Sequence, residues 1–370
     1  MEGTKPRTVS SLGMFDLLKG IGMLAIVFAH TAELYPLGTN DVTPFAFALF
    51  AYREALMAAF FIASGYGFRK RSIHKCIHQQ LKSLLKPYAY TALFTCVLHF
   101  IIHYKTFQYL PGTIGESIKV TGGFLLGLLH TAKYFGQEFF SCGPMWYLLA
   151  LMVGWVLLDV ILNIFPERYV PWAVAGCVLL GWGASLVWEL PFCLIQGAVV
   201  VPYLYIGFLA KKKHLLDEPL PPKVFVGLLA ATALIAVGAL ATRTTDCISL
   251  AEWSLGPLSI FLDGAAGLLF IRLFMRLSHG HGPIVHFLEA VGRRSLNIFC
   301  VHTVEIIAIP WYLMVAKFSA QPVLGMWLQY AIALGSIWLV CELLRVRRAL
   351  IIRFFPAQRR TPAVRYTSRH

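Results

Sequence analysis

Four ionisable residues stand in one apolar stretch near the start of the chain, DLLKGIGMLAIVFAHTAE: Asp16, Lys19, His30 and Glu33. Ionisable groups are costly inside a membrane helix, so they turn toward a bundle interior and mark a site. On a helix turning about 100° per residue, His30 comes back within about 20° of the direction of Lys19, and Asp16 lies within about 40° of the same line. The rise of about 1.5 Å per residue separates Lys19 from His30 by roughly 16 Å, about half the hydrocarbon thickness. A neutral imidazole held there can take a proton from a hydroxyl and return it to a leaving group, which suits acyl transfer near neutral pH. Glu33 either orients that ring or is a solvated residue at the helix end. Lys19 fits two roles, a positive charge marking the inner end of a span or, because it aligns with His30, a binder for an anionic donor.

Other stretches supply further candidates. RRSLNIFCVHTVE buries His302 and Glu305 three residues apart, neighbours on one helix face and a second intramembrane ionisable pair. FFIASGYGFRKR carries Ser64, Gly65 and Gly67, small residues that either let helices approach closely or leave room for a ligand beside Arg69 and Arg71. CGPMWYLLAL places Trp146 and Tyr147 where a span begins, as an aromatic belt also would. His99 and His103 have the i, i+4 spacing of metal ligands, and His279, His281 and His286 cluster in a loop, but neither set has further ligands at a recognisable spacing. No metal is expected. With no GxSxG elbow, phosphate loop or dinucleotide fingerprint in the chain, histidine chemistry remains.

These residues need a membrane bundle to hold them. Of 370 residues, 58% are hydrophobic and 14% charged, with a mean hydropathy of +0.68, the composition of an all-α integral membrane protein. Windows of about 20 apolar residues predict about ten transmembrane helices, near 15 to 34, 45 to 66, 87 to 104, 145 to 164, 171 to 188, 191 to 210, 223 to 241, 253 to 272, 295 to 315 and 323 to 344. A formal charge of +14 could suggest nucleic acid. The basic residues sit between the spans, however, and read as orientation signals. One side collects Arg69, Lys70, Arg71, Lys75, Lys82, Lys86, the Lys211 to Lys213 run, Arg293, Arg294 and a tail of eight arginines; the other holds Arg53, Lys105, Lys119, Lys133, Arg243 and Lys317. Both termini are therefore expected in the cytoplasm and the protein multi-pass in the inner or plasma membrane. The expected organisation is a cytoplasmic segment over residues 1–14, a transmembrane domain over 15–344 and a basic tail over 345–370 that lies on anionic lipid. The first stretch carries Asp16 and Lys19 and leads into further spans, so it is expected to be retained rather than cleaved.

Residues 105–144 are too long for a turn and too polar for a clean span, and are expected to form an outer segment with a short re-entrant or interfacial helix. The eight cysteines are scattered without CxxC pairs, as small packing residues would be. A proton-coupled secondary transporter, with Asp16, His30, His302 and Glu305 as its relay, is the alternative to an enzyme.

Lys19 and His30, ten residues apart in FDLLKGIGMLAIVFAH, resemble the basic-x10-His signature on the first helix of membrane acyltransferase family 3. FFIASGYGF, LKSLLKPY, GPMWYLLAL and SLNIFCVHTVE resemble, in order, its FFxxSGY segment, its basic stretch before the third helix, its PLWFL segment and its SLxIYLIH segment. The chain looks most like the fucose 4-O-acetylase-like branch. That resemblance implies a ten-helix membrane enzyme that moves an acyl group, usually acetyl, from cytoplasmic acyl-CoA to a hydroxyl of a carbohydrate or other cell-envelope acceptor, with no bound cofactor. By motif position His30 would be catalytic, with Glu33 and Asp16 beside it, and Lys19, Arg69, Arg71, Lys82 and Lys86 would bind the donor. Ser64, Trp146, His302 and Glu305 would support the site or the substrate. Where the family often has an RxxR pair, this chain has Lys82 and Lys86, point charges rather than bidentate forks. The fused extracytoplasmic hydrolase-like domain of some members is not expected.

Overall fold

Proline marks many of the helix starts. Pro111, Pro171, Pro222, Pro257 and Pro283 each stand at the first or second position of a helix, where the missing N–H has no partner to lose, whereas Pro87 and Pro202 stand where one helical stretch runs into the next. The computed structural model describes residues 12–35, 51–187, 190–217, 219–278 and 282–354, with side chains from 13 to 347. Its elements in chain order are α1 (Asp16–Ala32), α2 (Arg53–Tyr66), α3 (Ile73–Gln80), α4 (Lys86–Phe107), α5 (Leu110–Leu126), a hairpin of β1 (Ala132–Tyr134) and β2 (Gln137–Phe139), α6 (Trp146–Ile164), α7 (Val170–Ser185), α8 (Leu194–Val199), α9 (Val201–Lys212), α10 (Pro222–Thr242), α11 (Pro257–Leu277), α12 (Pro283–Gly292), α13 (Ser295–Ala308), α14 (Tyr312–Lys317) and α15 (Pro322–Phe354). The hairpin strands are antiparallel, with Tyr134 opposite Gln137.

Among the described residues, six helical stretches are long and apolar enough to cross a membrane: Gly13–Ala32, Ile73–Phe107, Gly143–Ile164, Pro222–Thr242, Pro257–Leu277 and Pro322–Arg347. α8 and α9 make a seventh if taken together, bent by 50° at Val200, where Pro202 cannot donate to Ala198. The three other expected spans appear as α2, α7 and α13, of 14, 16 and 14 residues. The start of the span expected near 45 to 66 lies outside the described residues, as do His279, His281 and the tail from 355. α13 stops short because Ile309, extended at φ −91° and ψ 129°, precedes Pro310. α3 runs into α4 through a π turn, Leu81–Leu85, where Pro87 withdraws a donor from the helix ladder. The 105–144 segment forms α5, packed along α4, and the hairpin. Tyr88 Oη ties the two helices by donating to the Phe124 carbonyl at 2.6 Å.

α2 runs through the middle of the bundle, between α9 and α11. Small residues permit that closeness. A methyl group at Gly65 would meet the Leu204 carbonyl, one at Gly207 the Ile62 carbonyl, and one at Gly267 the Ala59 backbone. The same device joins α1 to α12, where Gly20 lies on the Leu288 carbonyl and Gly292 on that of Asp16. α1 also packs on α13 and α15, and α13 on α4. Fully buried Phe61, Ile62, Tyr203 and Leu204 occupy the core around α2.

Candidate functional site

The helical period of α1 decides which of its residues share a wall. Lys19, Met23, Ile26 and His30 follow one another at steps of four, three and four, and four adjoining cavities run beside them. The first, about 310 Å³, is walled by Lys19, Ser64, Gly67, Arg69 and Arg71. The second, about 190 Å³, shares Lys19 and Ser64 with the first and is otherwise largely apolar, with Met57 and Phe299 in its wall. The third, about 160 Å³, shares Ile26, Met57, Tyr147 and Phe299 with the second and brings in His30 and Glu33. The fourth and largest, about 720 Å³, shares His30, Glu33, Arg53 and Trp146 with the third and extends to His99, His103 and Glu116. His30 thus stands where the narrow run meets the wide chamber.

At the Lys19 end the walls are cationic. The loop after α2 is pinned: the Arg71 N–H donates to Asp159 Oδ1 at 2.9 Å, and Asn163 Nδ2 donates to the Arg71 carbonyl at 2.8 Å. Asp159 is fully buried, and its carboxylate, costly there if left alone, accepts from the Arg71 N–H and, at 3.2 Å, from Asn163 Nδ2. Ser64 marks the junction of the first two cavities. Its hydroxyl donates to the Phe60 carbonyl at 2.9 Å and lies 3.4 Å from Tyr147 Oη. The two readings of the small residues divide between them: Gly65 serves helix contact, whereas Ser64 and Gly67 line the cavity. Lys82 belongs to an exposed hollow of about 620 Å³ with His74, Lys75 and His78, which adjoins the first cavity through Gln79 and Ser83. Lys86 lines none of these cavities, and its ammonium sits 5.8 Å from the Tyr90 ring centre.

At the other end, His30 Nδ1 is 3.5 Å from Glu33 Oε2, with the imidazole about one-third exposed and the carboxylate more so. The His302 ring centre lies 5.6 Å from that of His30, the planes tilted by 32°. His302 is buried and its Nδ1 is 3.0 Å from Glu305 Oε2. The two motifs from opposite ends of the chain therefore meet. Asp16 does not join them. It is buried at the far end of α1, with Lys19 Nζ at 3.7 Å and an Arg293 guanidinium nitrogen of the α12 to α13 connection at 3.9 Å.

Several residues about the site lay outside the sequence expectations. Arg53 walls the third and fourth cavities, its Nε 3.5 Å from Glu54 Oε1. Two charges in the expected second span were the available signal. Met57 and Phe299 form the narrow part with Tyr147, and their apolar types carry no signal apart from their neighbours. His99 and His103 share the large chamber, where each ring faces a hydroxyl rather than two further ligands: His103 Nδ1 lies 3.0 Å from Thr113 Oγ1, and His99 Nδ1 3.4 Å from Ser117 Oγ. Cys247 also lines it, from the loop before α11; it is a free cysteine, and burial pushes its thiol above the usual range.

An imidazole thus stands between a cationic mouth at one end and a roomy chamber at the other. A family model described as an acyltransferase domain matches residues 13–346. No curated protein and no solved structure matches the chain. The matched region takes in every helix that lines the cavities, and the chain belongs to acyltransferase family 3, a family of membrane acyltransferases.

Proposed function

We propose that the chain is an O-acyltransferase that takes an acyl group, acetyl in the first place, from cytoplasmic acyl-CoA and passes it to a hydroxyl of an envelope carbohydrate. The observation that carries this reading is the chain of cavities from Lys19, Arg69 and Arg71 to His30. Phosphates of the donor bind at the cationic mouth, where Arg offers a fork and Lys a point charge. Lys82 and the hollow it shares with Lys75 extend that surface. The thioester arm then runs through the apolar second cavity, over the roughly 16 Å that helix rise sets between Lys19 and His30. The acceptor enters the large chamber, where Trp146 and Phe140 offer ring faces and Glu33, Glu116 and Arg53 offer polar groups. His30 removes the acceptor proton as the oxygen attacks the thioester carbonyl, and Glu33 steadies the ring. The charge pattern of the loops favours both termini inside and the Lys19 end at the cytoplasm, in a cell membrane. The motif pattern favours the fucose 4-O-acetylase-like branch of the family.

Membranes bearing the chain should transfer label from radiolabelled acetyl-CoA to envelope polysaccharide. His30→Ala should cut that transfer by about 100-fold or more while the protein stays in the membrane. Near-normal transfer by the variant would reject the role of His30. Mass spectrometry of the polysaccharide, with and without the protein, identifies the acceptor by an acetyl-sized increment.

A further inference from the structure

His302 lines none of the four cavities, yet it is the better positioned of the two imidazoles. Its side chain is 1% exposed and Glu305 6%. With Glu305 as a carboxylate, which can only accept, the 3.0 Å contact is an N–H donated by His302 Nδ1. The neutral ring then has its lone pair on Nε2. That atom is buried without a hydrogen-bond partner among the described residues, a condition that native interiors rarely tolerate without use. Across the interface, His30 is about one-third exposed and opens onto the third and fourth cavities. The ionisable groups that bear on His302 are Glu305 from its own helix and His30 from α1; α4 and α15, also packed on α13, bring no other among the described residues.

We propose that His302 is a positioning residue that shares the catalytic proton with His30, its free Nε2 kept available by Glu305. This rests on the acyl-transfer reading above. As the acceptor oxygen forms its bond to the thioester carbonyl carbon, the hydroxyl proton passes to His30. When the C–S bond breaks, the electron pair leaves with sulfur. The proton, held by His30 or passed to His302 through a ring turn or one intervening water, returns by way of His30 to the thiolate and yields the free thiol. The protein gains and loses nothing over the cycle. Two imidazolium rings with centres 5.6 Å apart would repel, so while one ring carries the proton the other stays neutral. Glu305 offsets the charge when it rests on His302.

The test uses the full chain in detergent, with radiolabelled acetyl-CoA as donor, envelope polysaccharide of the expressing cells as acceptor and released thiol as a second readout. His302→Asn should lower kcat about 10- to 100-fold and leave KM for acetyl-CoA within about twofold, with released thiol falling in step with transfer. Glu305→Gln keeps a hydrogen-bonding side chain of the same shape without the charge, and should lower kcat about 10-fold, again with KM for acetyl-CoA within about twofold; Glu305→Asp should recover part of it. If either His302→Asn or Glu305→Gln folds and keeps the wild-type kcat, or if the loss vanishes when rates are normalised to folded protein, the proposal is overturned. Should His302→Asn fail to fold, Glu305→Gln decides. A parallel His30→Ala measurement separates the two layers. Wild-type transfer by that variant overturns the reading beneath, whereas dependence on His30 with unchanged His302→Asn and Glu305→Gln kinetics overturns the shared proton alone.

Discussion

The imidazoles of His30 and His302 face each other across the contact of α1 with α13, their centres 5.6 Å apart, and each has its own carboxylate, Glu33 at 3.5 Å and Glu305 at 3.0 Å. The pairs are alike in sequence, a histidine followed three residues on by a glutamate, but not in setting. His30 opens onto cavities on two sides; His302 is sealed. An exposed base can reach a substrate and a sealed one can keep its proton affinity fixed, so the two positions suit different parts of one reaction.

The narrow passage should be essential. Met57 lines both the second and the third cavities. Met57→Trp should fill that constriction and reduce kcat/KM for acetyl-CoA at least about 10-fold, with overpacking costing about 1–3 kcal/mol of stability. Donor kinetics beside a thermal melt in detergent check this. Full activity would mean that the donor reaches His30 by another way.

Arg71 stands in a loop fixed by Asp159 and Asn163, with its side chain in the wall of the first cavity. Arg71→Ala should raise KM for acetyl-CoA about 10-fold with kcat nearly unchanged, and Arg71→Lys should restore part of the affinity. Salt should weaken wild-type binding more than that of Arg71→Ala, because the variant has one charge fewer to screen.

The α1 to α12 contact should be intolerant of even one carbon. Gly292→Ala would press its methyl group on the Asp16 carbonyl and force the helices apart. A loss of about 1–3 kcal/mol is expected, read as a lower melting temperature, with activity falling in step because α1 carries Lys19 and His30. Unchanged melting would show that the contact relaxes freely.

Cys247 lines the large chamber, but burial holds its thiol above the usual range, so thiolate is scarcer at neutral pH than in a free cysteine. Iodoacetamide should label it slowly at pH 7 and faster as pH rises. Cys247→Ser should transfer acetyl at the wild-type rate, since no step uses the sulfur. Loss of transfer would bring Cys247 into the chemistry.

How much of this was legible in the sequence follows from the range of each signal. The line from Lys19 to His30 is local periodicity in one helix, and the wall of cavities along Lys19, Met23, Ile26 and His30 follows it. His302 and Glu305 stood out because charge is rare in an apolar run, but their meeting with His30 depends on α13 packing against α1, which no local pattern encodes. Asp16 shows the opposite case: it shares the face of Lys19, yet the approach of α12 through Gly20 and Gly292 brings Arg293 to it and leaves it far from the imidazoles. Met57 and Phe299 look like any core residue until α2, α6 and α13 bring them together with Tyr147. Window length predicted about ten spans, whereas six helical stretches among the described residues are long and apolar enough to cross: α2 and α7 have 14 and 16 residues, Pro202 bends a pair and Pro310 ends α13 early.

Transfer past His30 from one face of the membrane to the other is tested most directly with sealed inside-out vesicles. Acceptor polysaccharide is trapped in the lumen and radiolabelled acetyl-CoA is added outside. Label should accumulate on the trapped polysaccharide while the CoA portion stays outside, and vesicles bearing His30→Ala should gain none above background. Label found only on polysaccharide added outside, or equal lumenal label with His30→Ala, would contradict it.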